Sequence, residues 1–122
     1  MENRVSIGIP EADLAAAKAA LQQVQSILAP YVIALTPDQR KSIPKMSDGT
    51  EPFVEKVMAY AESNAQFLPP FVNLSEMQRD WLAVSGLVPL LRMVDQLQDT
   101  LSDTSMMAGS EAYVGALSYT IR

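Results

Sequence analysis

Apolar residues recur along this chain at helical spacing. Leu14, Ala17, Leu21, Val24, Leu28, Tyr31 and Leu35 step by three and four without a miss, which lines one face of an α-helix that packs against other helices. The spacing predicts a first helix over about 10–35. Pro10 suits its first turn, and Glu11 and Asp13 oppose the N-terminal dipole. Pro30 falls inside the pattern; because the period continues to Tyr31 and Leu35, a kink there is expected rather than a stop.

The same reasoning predicts three more helices, over about 51–67, 75–103 and 106–122. Residues 36–50 connect the first two. Thr36-Pro37 reads as an N-cap with a first-turn proline, giving one short helical turn over 37–42. Thr50 and Ser75 are the expected caps of the second and third helices, and Pro69-Pro70 closes the second. The third helix carries Leu87, Leu90, Val94, Leu97 and Leu101 on its inner stripe, with a kink expected at Pro89. Ser102 to Ser105 reads as a polar joint before the last helix. Leu21 and Val94, each in mid-stripe, are expected core residues. The fold class is therefore all-α: a single domain over 1–122, forming an antiparallel up-down-up-down four-helix bundle with proline-kinked long helices.

Composition narrows the function classes. The chain has 122 residues and 48% hydrophobic content, enough for one core. It contains neither cysteine nor histidine, so disulfides and the commonest catalytic and metal-binding side chains are missing, and a reducing compartment fits. No stretch approaches the roughly twenty apolar residues of a membrane span, and residues 1–10 lack a secretory pattern; the expected location is cytoplasmic, with no membrane partner. The net charge is −5. Only the connection holding Arg40, Lys41 and Lys45 is net positive, and no helix carries the row of basic residues that binds phosphates, so nucleic acid is not an expected partner.

Candidate chemistry is sparse. Asp95, Asp99 and Asp103 stand four apart, a spacing that could offer oxygen ligands to a hard cation. The row lies away from the apolar stripe, Arg92 can pair with Asp95, and a solvated face is the simpler reading. Asp48-Gly49 with Glu55 fails as a calcium loop because Pro44 and Met46 would occupy ligand positions. Ser42-Ile43-Pro44-Lys45 matches a serine–lysine nucleophile pattern, but Pro44 opposes the helical turn that chemistry requires. Without histidine, a ferritin-type di-iron site is excluded. Glu62 and Glu111 are the only carboxylates worth checking for acid–base work. Trp81 with Met77, Met93, Met106 and Met107 could line an adaptable groove, although core filling is commoner. Gln98, Asn64 and the tyrosine hydroxyls are the polar groups that could face inward. No cofactor is implied.

Several segments resemble short, uncharacterised bacterial all-helical proteins. These are the stretch from Leu35-Thr36-Pro37 through Pro44-Lys45-Met46 to Phe53-Val54-Glu55-Lys56, then Leu68-Pro69-Pro70, and the run from Met107 to Tyr113. The resemblance implies no activity. It implies that Gly109-Ser110-Glu111 is helical, and the last helix of those proteins is longer.

Small residues at Ala108, Ala112 and Ala116 allow close helix approach, and Leu117 and Ile121 end the chain's apolar pattern. A short last helix leaves part of the groove between longer neighbours uncovered. Ala112, Ala116, Leu117 and Ile121 are accordingly the expected interface residues of a homodimer. The function expected is non-enzymatic: a protein–protein interaction module that self-associates, with a further protein partner as a possible second role. The alternatives are a small-molecule or metal-binding bundle and a carboxylate-dependent enzyme.

Overall fold

A computed structural model describes residues 8–47 and 49–121. It is all-helical: α1 (Glu11–Leu28), α2 (Pro37–Ser42), α3 (Glu51–Ser63), a 3-10 turn (Ala65–Phe67) and α4 (Leu74–Ile121). The backbone falls into two compact units, one of Met1–Lys41 with Asp99–Arg122 and the other of Ser42–Gln98.

The first helix is shorter than its apolar period. Pro10 precedes it in extended conformation, and its carbonyl accepts from the Asp13 and Leu14 amides, both at 3.1 Å. At the other end the Ala29 amide still reaches the Gln25 carbonyl at 2.9 Å, and Tyr31 then turns back to Leu28. Pro30 has no N–H for the Ser26 carbonyl and its ring opposes continuation. The kinked helix expected to run to Leu35 therefore stops at Leu28. Tyr31 and Leu35 keep the spacing but lie outside any helix.

Local hydrogen bonds set the other boundaries. The Thr36 Oγ1 accepts from the Gln39 amide at 3.2 Å, while Gln39 Oε1 accepts from the Thr36 amide at 2.9 Å. This reciprocal capping box starts α2 at Pro37. Thr50, the expected cap of α3, works differently: its backbone is already helical, and no side-chain cap bond forms. Its hydroxyl accepts from the Ser47 amide at 2.8 Å and donates to the Ser47 carbonyl at 3.1 Å, closing the turn before the helix. Helix α3 ends at Ser63 rather than 67, where Asn64 donates through Nδ2 to the Tyr60 carbonyl at 3.1 Å. A Tyr60–Phe67 ring stack with centroids 6.5 Å apart folds the 3-10 turn back on α3. Leu68 is then extended, as a residue before proline prefers. Asn73, not Ser75, caps α4: its Oδ1 accepts from the Glu76 amide at 3.1 Å.

The largest correction concerns α4, one helix of 48 residues that continues through Pro89 and through 102–105. The expected joint is helical because Ser102, Asp103, Thr104 and Ser105 include neither glycine nor proline. Their polar groups are compatible with the helix, and the Thr104 hydroxyl donates to the Thr100 carbonyl four residues back at 2.7 Å. The segments 75–103 and 106–122 are therefore parts of one helix, not two helices joined by a turn.

Burial is concentrated in Ser42–Gln98. There Met58 (4% exposed) and Ala61 (2%) form the buried core, with Val54, Val57, Val72, Met77, Trp81 and Val84 half-buried around them. In the unit holding α1, that helix has no buried residue. Leu21 and Val94, the expected core residues, are 47% and 52% exposed. A helical period identifies which face is apolar; it does not supply the element that covers it.

This distribution separates two substitutions. Met58→Ala should cost about 2–5 kcal/mol through lost burial and a cavity. Leu21→Ala should cost less than about 1 kcal/mol in the monomer, where the side chain is half-exposed. Urea unfolding at submicromolar protein concentration checks this, and equal losses at the two positions would contradict the assignment of the core.

Candidate functional site

Side chains of several elements converge on a groove of about 430 Å³ in Ser42–Gln98. Helix α3 contributes Val54 and Met58, one turn apart on the same face. Helix α4 contributes two parallel rows at four-residue spacing: Glu76, Asp80 and Val84 in one, Met77 and Trp81 in the other. Adjacent rows on a helix surface lie side by side, so the carboxylates run along the edge of the strip that Met77 and Trp81 form. Met46, from the segment after α2, and Asn73, at the N-cap of α4, complete the lining.

The groove has an apolar floor and an acidic rim. Met58 is buried, Met77 and Trp81 are half-buried, and Glu76 and Asp80 are exposed. Neither lysine nor arginine belongs to the lining. Thioethers and an indole offer polarisable, adaptable contact. The volume falls within the range of small-molecule sites. Nothing in the arrangement places a nucleophile against a base.

The other candidate residues are dispersed. Asp95, Asp99 and Asp103 are all exposed on α4, and no group of three or more carboxylates close enough to hold a metal ion occurs among the described residues. Ser42 ends α2 while Lys45 lies in the following loop, its Nζ donating to the Ile43 carbonyl at 3.3 Å. The two do not share a helical turn. Glu62 is exposed and Glu111 is half-buried; Gln98 is exposed and Asn64 half-buried. Asp48 and the side chain of Ile121 lie outside the described residues. Helix α4 is continuous, so at about 100° per residue Ala112 and Ala116 lie about 140° around it from Leu117 and Ile121. These four positions therefore belong to two faces.

Of the residues proposed for an adaptable groove, the structure brings Met77 and Trp81 together. Met93 and Met106 are instead exposed elsewhere on α4. Met46, Met58, Asn73, Glu76 and Asp80 escaped the sequence reading. The paired four-residue steps Glu76–Asp80 and Met77–Trp81 were the available signal. No helix among the described residues is long and apolar enough to cross a membrane.

No protein-family model matches this chain, and no curated protein or solved structure does.

The aspartate row gives a test of its own. Calorimetric titration with Ca²⁺, Mg²⁺ and Mn²⁺ should show only weak, non-saturating heats, since exposed carboxylates on one helix face attract ions loosely. A saturable one-to-one isotherm at micromolar affinity (~10⁻⁶ M) that disappears in Asp99→Ala would contradict this.

Proposed function

We propose that the protein is a non-enzymatic interaction module whose first partner is a second copy of itself. The observation that carries this is the exposure of its apolar stripes. Leu14, Leu21 and Val24 on α1 and Leu87, Leu90, Val94, Leu97 and Leu101 on α4 are each between 42% and 56% exposed. The α4 residues step by three and four, the a and d spacing of a coiled-coil seam. In that register the flanking e and g positions are Leu91, Met93, Gln98 and Thr100. They are uncharged, so no like-charge contact opposes pairing, and Leu91 and Met93 widen the apolar face.

Magnitudes support a dimer of moderate affinity. Covering the exposed halves of these eight side chains on both copies contributes on the order of 10–20 kcal/mol. Association costs about 4–15 kcal/mol in lost freedom, which leaves a dissociation constant in roughly the micromolar range. Two-fold symmetry is the commonest way to cover two identical faces. In this reading the antiparallel four-helix bundle is assembled between copies, from α1 and α4 of each. By helical spacing Ala112 and Ala116 continue the face of the seam, while Leu117 and Ile121 occupy positions on another face of α4. A cytoplasmic setting accompanies the reading, since a chain without cysteine suits a reducing compartment, and a bacterial one follows from the resemblance to bacterial all-helical proteins.

Sedimentation equilibrium at tens of micromolar (~10⁻⁵ M) should return a dimer mass. Leu90→Asp with Leu97→Asp should reduce it to a monomer, and Leu117→Asp should leave it dimeric. A monomer mass for the unaltered chain, or a dimer that survives the double substitution, would overturn the proposal.

A further inference from the structure

The groove between α3 and the start of α4 carries information that the apolar stripes do not, because its lining has a sign. We infer that it binds an organic cation: an ammonium group carried on a compact apolar body such as an aromatic ring. The apolar body lies over Met58, Met77 and Trp81, and the ammonium meets Glu76 and Asp80. Charge complementarity selects this occupant. Among the described residues the lining contains two carboxylates and no cationic side chain, so an anion would meet repulsion there, and a neutral apolar ligand would leave the acidic rim unused. Glu76 and Asp80 are one turn apart on one face of α4, which lets both act on a single positive centre. Trp81 stands next to Asp80 and offers the ring face best suited to an ammonium group. The volume of about 430 Å³ admits a small aromatic amine and its first water molecules.

The inference is independent of self-association, since none of these lining residues belongs to the α4 seam. Trp81 is the only tryptophan in the chain, so tryptophan emission reports on this groove alone. Three soluble probes share one apolar body and differ in charge: phenethylammonium, 2-phenylethanol and 3-phenylpropionate. Titrated separately at a protein concentration below the association range, phenethylammonium should change Trp81 emission saturably. It should bind about tenfold more tightly than the alcohol, as expected for a cation near a ring face and two carboxylates, and the carboxylate probe should bind more weakly than either. The Glu76→Gln/Asp80→Asn variant changes only exposed rim atoms and should fold unaltered by circular dichroism; in it, cation and alcohol should bind alike. Chemical-shift changes at the Met58 and Met77 methyl groups should saturate with the same midpoint as the emission. Equal affinity for all three probes in the unaltered chain would show a merely apolar cleft and overturn the inference. So would an absence of saturable response to phenethylammonium, or a preference for the cation that survives in the double variant.

Discussion

The constraint on which this structure depends is that a helix satisfies its backbone internally but cannot bury its own apolar face. Most helical stability in proteins comes from packing that face, not from propensity. Here α3 and the beginning of α4 meet the constraint within the chain, through Met58 and Ala61 and the half-buried residues around them. Helix α1 and the middle of α4 do not, and their stripes stay about half-exposed. The functional reading follows from that asymmetry: one region already has an inside and can shape a groove, while the others present faces that need a second surface.

The same asymmetry explains the division between groove and seam. A ligand site needs walls from more than one element, and Val54 and Met58 on α3 opposite Met77 and Trp81 on α4 provide them. A seam needs only one long, regular face. Helix α4 offers such a face, because it continues through Pro89 and because Leu87 to Leu101 keep the heptad spacing. Charge is distributed to match. Asp95, Asp99 and Asp103 occupy positions off the seam, where they keep the outer face hydrated, whereas Glu76 and Asp80 border the groove.

Features set by local chemistry were legible in the sequence. The all-α class, the turn at Pro37–Ser42 and the start of α3 follow from period, capping residues and prolines within a few positions of each other. The apolar period through Tyr31 and Leu35 suggests a continuing helix, but the hydrogen bond and clearance that Pro30 removes end it at Leu28. Polarity at 102–105 suggests a joint, but serine and threonine can bond back to carbonyls within a helix, as Thr104 does to Thr100. The sequence points to Ser75 as the cap of α4, and the bond from the Glu76 amide to Asn73 Oδ1 puts the cap two residues earlier. The core was least legible: Leu21 and Val94 lie mid-stripe, but whether a stripe is covered by its own chain or by another is a tertiary fact that no periodicity encodes. The groove was half-legible: Met77 and Trp81 are among the residues expected to line one, whereas Met58 is contributed by a separate helix whose packing no local spacing encodes.

In the self-association proposed above, a second copy of the chain completes its folding. Thermal unfolding followed by circular dichroism across a hundredfold range of protein concentration (about 10⁻⁶ to 10⁻⁴ M) tests it most directly, because only association makes a melting midpoint depend on concentration. The midpoint should rise by on the order of 5–10 °C over that range. A midpoint that stays constant would contradict it.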